Sequence, residues 1–226
     1  MAALRYIVAA TPRTGSSLLC EGLCATGVAG YPGEVFAPDF RHLWCDHWYL
    51  RRDVRFADYL DAAVTNGKTD NGVFGFKIMR MHVPVLARAA GLPTDDVLDR
   101  LFPGSRFVYI RRLDRAAQVR SWQRAEVTGQ WWRFEGEAAA PEPDEAPDPA
   151  YLRLMEEHVE RQQEQWETHF AARGIEPVRV VYEDLTRDYR GEIGRVLAAL
   201  GLDPDAATTI PPPRLVRQAP VGERVR

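Results

Sequence analysis

The chain has 226 residues, is 46% hydrophobic and carries a net charge of −3, with five histidines and three cysteines. That length suits a single domain with a full core, and the slightly acidic balance leaves no general footprint for nucleic acid. Cys20, Cys24 and Cys45 form neither a paired framework nor a C-x-x-C motif, which excludes a disulfide scaffold and favours a reducing, cytoplasmic setting.

The first element is the apolar run Tyr6 to Ala10, which reads as a buried strand. It is short and flanked by Arg5 and Arg13, so it is expected to be neither a signal peptide nor a membrane span. Proline ends it at Thr11-Pro12. Arg13-Thr14-Gly15-Ser16-Ser17 follow, and then a helical pattern through Leu18, Leu19 and Leu23. A strand, a small-residue turn and a helix start make an anion site, because the free N–H groups of the first turn and the helix dipole both favour negative charge. Gly15 permits close backbone approach, Thr14, Ser16 and Ser17 add hydroxyls, and Arg13 adds a fixed cation. The plainer alternative is a strand–turn–helix with a capping serine. A Walker loop is disfavoured: with Gly15 and Ser17 aligned, Ala10 stands at its first glycine and Ser16 at its lysine.

Three more buried strands are expected at Val73 to Met79, Arg106 to Ile110 and Val178 to Tyr182. Helical patterns occupy Phe56 to Asn66, Val83 to Ala90, Arg115 to Val127, Tyr151 to Arg173 and Tyr189 to Leu200. The alternation predicts an α/β fold with a parallel sheet flanked by helices, with ligands bound beyond the carboxyl ends of the strands. Leu152, Met155, Val159, Trp166 and Phe170 form a stripe of core packing. Glu135 to Ala150 is acidic and proline-rich without apolar periodicity, which reads as a mobile surface loop, either a plain linker or a lid.

A second anion site is expected after the strand ending at Ile110. There Arg112 stands at a cationic turn and Ser121 lies on the following helix, where a guanidinium and a hydroxyl can converge on one phosphate. Two separate sites suit a ligand with two separated anionic groups. Lys77 sits in an otherwise apolar strand and either points at the anion or snorkels out at the strand end. Glu34 lies in a non-helical stretch between apolar residues, where partial burial is expected to raise its pKa; a surface-loop glutamate is the alternative. His82 is an acceptor contact, a second base or a structural histidine. Stacking aromatics with polar partners (the segment His42 to Trp48, then Trp131 and Trp132, with Asp46, Gln130 and Glu34) would hold a sugar ring, though tryptophans serve equally in cores and interfaces. His42, Cys45 and His47 fit no common zinc spacing, and no metal is expected.

The chain resembles the sulfotransferases that use 3′-phosphoadenosine 5′-phosphosulfate (PAPS), and most closely the trehalose 2-sulfotransferase family. The resemblance rests on ATPRTGSSLLCEGLCATGVAGYPGEVF (10–36), FGFKIM (74–79), RRLDRAAQVRSW (111–122), TGQWW (128–132) and YEDL (182–185). It implies a P-loop-like sulfotransferase fold, PAPS as co-substrate with 3′-phosphoadenosine 5′-phosphate (PAP) as product, a hydroxyl acceptor such as trehalose, and a homodimer. It also implies that Arg13, Thr14, Gly15, Ser16 and Ser17 hold the 5′ side, that Arg112 and Ser121 hold the 3′-phosphate, and that Glu34 is the base. Where many sulfotransferases have a loop lysine, Arg13 is the nearest cation here. The spacing from Arg112 to Ser121 is nine, one longer than the commoner eight. The terminal RLVRQAPVGERVR (214–226) reads as cut short, so Arg214 and Arg217 are given no 3′-phosphate contact. In-line sulfuryl transfer would need Arg13, Lys77 and the loop amides to neutralise the leaving group, and Glu34 to take the acceptor proton. Two rivals are a small-molecule kinase with a degenerate phosphate loop and a non-catalytic nucleotide-binding protein.

Overall fold

In the computed structural model, which describes residues 4–141 and 147–216, the run Arg5–Ala10 forms strand β1. β2 is Phe74–Met79, β3 Arg106–Arg111 and β4 Val178–Val181. The sheet is parallel throughout, in the order β2-β1-β3-β4. The chain leaves β1 for β2 on one side and returns to β3 on the other, so the carboxyl end of β1 is the topological switch point. Register places Val8 of β1 beside Lys77 of β2 and Val108 of β3.

The helices are α1 (Ser16–Ala25), α2 (Arg41–His47), α3 (Phe56–Asn66), α4 (Val83–Ala90), α5 (Val97–Leu101), α6 (Arg115–Thr128), α7 (Pro149–Arg173), α8 (Tyr182–Arg187) and α9 (Tyr189–Ala199). They cover both faces of the sheet, and the pleat of β1 divides its side chains between two cores. Ile7 and Ala9 pack with Phe74, Phe76, Tyr59 and Trp166 on the face of α3, α4, α5 and α7. Tyr6, Val8 and Ala10 pack with Leu19, Leu23, Ile193 and Val196 on the face of α1 and α9. Burial on both faces explains why these strands read as continuous apolar runs rather than alternating ones.

The expected strands and long helices stand within two residues of their places. Tyr182 is a correction: it opens α8 rather than closing β4. The expected 135–150 loop is shorter at its far end, because the Asp148 side chain accepts from the Ala150 amide and starts α7 at Pro149. Residues 142–146 of that expectation lie outside the described residues. Its near end is held: the Gln130 amide group bonds the Ala138 carbonyl and the Ala140 amide, and Arg124 donates to the Ala140 carbonyl. Among the described residues, no helix is long and apolar enough to cross a membrane.

Candidate active site

The segment between β1 and α1 is braced from two sides. Trp166 of α7 donates its indole N–H to the Ala10 carbonyl at 3.0 Å. Gln118 of α6, fully buried, donates to Thr11 Oγ1 at 3.0 Å and to the Pro12 carbonyl at 2.6 Å. Thr14 Oγ1 donates back to the Thr11 carbonyl. Gly15 is the N-cap of α1 at φ +83 and, as a glycine, offers no side-chain cap to the first turn. A Cβ on Gly15 would stand 2.3 Å from the Tyr182 ring, so this position needs glycine for its φ and for space. Arg13 is also left-handed, at φ +63, a strained state for a residue with a side chain.

That twist aims Arg13 across the cavity rather than along the loop. Its Nε donates to Ser121 Oγ at 3.0 Å, and its Nη1 donates to the Trp131 carbonyl. Arg112 lies close by, with its guanidinium 4.7 Å from the centroid of the Tyr182 ring. Burial and then the Arg112 charge lower the Arg13 pKa to about 10. The two guanidinium groups are near enough for the charge of one to act on the other. Arg13 thus joins the two expected anion sites and lies nearer Ser121 than its assignment to the 5′ side alone foresees. Glu183 supports the turn from behind: its carboxylate accepts from the Leu113 and Asp114 amides at 3.1 Å each.

The second half of the site is built by a strand-like contact. Gly33 pairs with Phe76, and the Lys77 amide donates to the Gly33 carbonyl at 2.9 Å. This lays Glu34 beside Lys77, 43 residues away in sequence. Lys77 Nζ lies 2.8 Å from Glu34 Oε2 and donates to Ser17 Oγ at 3.1 Å. Lys77 is 4% exposed, so it faces inward beneath the loop and does not snorkel. His82 Nδ1 lies 3.4 Å from Glu34 Oε1. The expected upward shift of the Glu34 pKa is half the balance. Burial does raise it, but the Lys77 charge and the close approach of His82 and Lys77 outweigh burial and lower it to about 2. Glu34 is therefore a paired carboxylate at neutral pH.

These groups share one cavity of about 610 Å³, in the range of small-molecule sites. Arg13, Gly15, Ser16, Ser17, Glu34, Lys77, His82, Arg112, Ser121 and Trp131 all line it. Thr14 does not; its buried hydroxyl is turned into the loop, which leaves its backbone to act. Asp46 stands apart: α2 turns it outward into a two-pronged pair with Arg52. Gln130 is likewise outside, spent on the 138–140 backbone. Several contributors carried no expected role. Tyr182 walls the loop, Gln118 braces it, and Phe40 faces Trp132 with ring centroids 5.3 Å apart. Trp132 also donates its indole N–H to Ser17 Oγ at 3.3 Å. YEDL marked Tyr182 and Glu183 as a motif without revealing what they touch.

The Stf0 sulphotransferase family model matches residues 5–224. A trehalose 2-sulfotransferase of Mycobacterium tuberculosis is 34% identical over 257 aligned positions, which span 95% of this chain and 89% of that protein. A trehalose 2-sulfotransferase of Mycolicibacterium smegmatis is 33% identical over 248 positions, with the same coverage. Among solved structures, a sulfotransferase of Alicyclobacillus acidocaldarius superposes with TM-score 0.56 at 12% identity, over 96% of this chain and 87% of that one. The sulfotransferase domain of the Synechococcus PCC 7002 olefin synthase gives 0.50 at 16% identity, over 91% and 75%. At these identities the two structures bear on the fold, and both share the P-loop-like sulfotransferase fold described above.

Proposed function

The chain belongs to the Stf0 sulphotransferase family, and on that premise we propose that it moves the sulfuryl group of PAPS to a hydroxyl of a sugar or glycosylated small molecule. The observation that carries this reading is the meeting of Ser17, Lys77 and Glu34 at one end of a cavity whose other side holds Arg13, Arg112 and Ser121. The two ends suit the two anionic groups of PAPS. Under this reading the α1 amides, Ser16 and Ser17 bind the 5′ side, and Arg112, Ser121 and the bridging Arg13 bind the 3′-phosphate. Ser17 Oγ accepts from both Lys77 and Trp132, which leaves its own hydrogen to donate to an anion.

The acceptor oxygen attacks sulfur, the bond from sulfur to the bridging phosphate oxygen breaks with its electron pair leaving on that oxygen, and the acceptor proton passes to Glu34. Lys77 has two partners in reach, Glu34 and Ser17, and serves the charge that develops on the leaving oxygen. As Lys77 turns to that charge, the largest opposition to burial at Glu34 is withdrawn and its proton affinity rises, which makes a weak base a more competent one. His82 stands beside Oε1 and, with Phe40 and Trp131, borders the acceptor. Trehalose is the first acceptor to test because the curated relatives are trehalose 2-sulfotransferases. A cytoplasmic setting and a homodimer belong to the same reading; the free thiols of Cys20, Cys24 and Cys45 support the first, and sedimentation velocity tests the second.

The test is radiolabelled transfer from PAPS to trehalose and a panel of glycosides by the wild type and Glu34→Gln. The expected result is a loss of roughly 10²–10⁴-fold in kcat with PAP affinity kept. An unchanged rate removes Glu34 as the base.

A further inference from the structure

Glu21 lies outside the cavity on α1, one turn beyond Ser17, and its carboxylate holds backbone. Oε1 accepts from the Arg214 amide at 2.7 Å and Oε2 from the Leu215 amide at 3.1 Å. The segment fixed in this way pairs antiparallel with residues 133–135. Leu215 stands opposite Phe134, the Glu135 amide donates to the Arg214 carbonyl at 2.7 Å, and the Val216 amide donates to the Arg133 carbonyl at 3.0 Å. Arg214 also lies 5.4 Å from the centroid of the Phe134 ring. The result is a two-stranded strap that the Glu21 carboxylate ties to α1.

The register of that tie sets what the strap delivers. Two residues back from Phe134 is Trp132, a step of about 6.6 Å along a strand. Four residues back from Glu21 is Ser17, a step of about 6 Å along a helix. The steps nearly match, so a strap anchored at Glu21 lays Trp132 over Ser17, where its indole donates at 3.3 Å. The preceding residue gives its carbonyl to Arg13. Leu215 and Val216 complete this side of the cavity wall.

We propose that Glu21 is a positioning residue for the donor subsite: by fixing the 214–216 strand it sets the 131–134 segment against Arg13 and Ser17. This rests on the reading of that subsite as the PAPS site. The strap is part of the donor pocket rather than a distant tail.

Two measurements on the whole protein test this with Glu21→Ala and Glu21→Gln. Hydrogen exchange of the ligand-free protein reads the strap directly, and amides of 131–135 are expected to exchange faster in Glu21→Ala, with Glu21→Gln between it and the wild type. Stopped-flow release of PAP reads the subsite. Loss of two charge-assisted hydrogen bonds, partly passed on to Trp131 and Trp132, is expected to speed dissociation about ten- to hundredfold. Trp132→Ala should do the same, and adding Glu21→Ala to it should have little further effect. Unchanged exchange at 131–135 in Glu21→Ala overturns the proposal, as does faster exchange with unchanged PAP release. A wild type that fails to bind PAP overturns the donor reading instead, and the exchange measurement still judges the strap.

Discussion

Replacing Lys77 by methionine keeps the length of the side chain and removes its charge from a pocket where Glu34 is 10% and Lys77 5% exposed at the side chain. The carboxylate would then be buried without its ammonium partner, a loss that costs about 3–5 kcal/mol when one member of a buried pair is removed. A second route gives a similar size. Holding the Glu34 pKa near 2 rather than 4.5 corresponds to a few kcal/mol of stabilisation. For 226 residues the unfolding entropy is about 0.5 kcal/mol per kelvin, so Lys77→Met should lower Tm by about 6–10 °C. Removing both charges with Glu34→Gln/Lys77→Met should recover most of that, to within about 1 kcal/mol of the wild type. The sign with pH follows from the depressed pKa: the Glu34 contribution is present above the ordinary carboxyl pKa of 4.5 and is lost as pH falls towards 2. The stability gap between wild type and double variant should therefore shift against the wild type across that acid window. Calorimetry and urea unfolding at pH 7 and pH 3 measure both effects. Single variants that each cost under about 1 kcal/mol and add independently would refute the buried pair as the organising contact.

Gly15→Ala combines a φ of +83 with a Cβ 2.3 Å from the Tyr182 ring; it should weaken PAP at least tenfold by calorimetric titration and lower Tm, at about 1–2 kcal/mol for the left-handed backbone alone. Ser121→Ala removes the acceptor of the Arg13 Nε bond, and a bond to a charged group is worth about 1.5–3 kcal/mol, so PAP affinity should fall roughly ten- to hundredfold. Asp46→Asn breaks an exposed pair with Arg52 away from the cavity and should leave the transfer rate within about twofold, since such pairs contribute little.

What the sequence made legible is what lies close together along the chain. The apolar run, Pro12, Gly15 and the two serines lie within twelve residues, so the strand, turn and helix start they form could be read from local pattern alone. The turn at Arg112 follows its strand by the same logic. Contacts that span the chain were out of reach. Glu34 meets Lys77 only because Gly33 pairs with Phe76, so the sign of the Glu34 pKa, which Lys77 and His82 decide, could not be read from its own apolar neighbours. Arg13 reaches Ser121 through a left-handed backbone that no residue type announces. The chemistry of Asp46 and Gln130 within aromatic segments suggests sugar contacts, but helix orientation and local backbone bonds turn them elsewhere. The strap joins residues near 134, 215 and 21, three places with no shared pattern in the sequence.

The most direct test of the account is a calorimetric titration of the purified protein with PAP, beside ATP and Mg²⁺ at the same concentrations. The account predicts a single PAP site per chain, weakened in Ser121→Ala and Arg112→Ala, with no comparable heat from ATP and Mg²⁺. Saturable binding of ATP and Mg²⁺ with none of PAP would contradict it and return the loop to the phosphate-transfer enzymes.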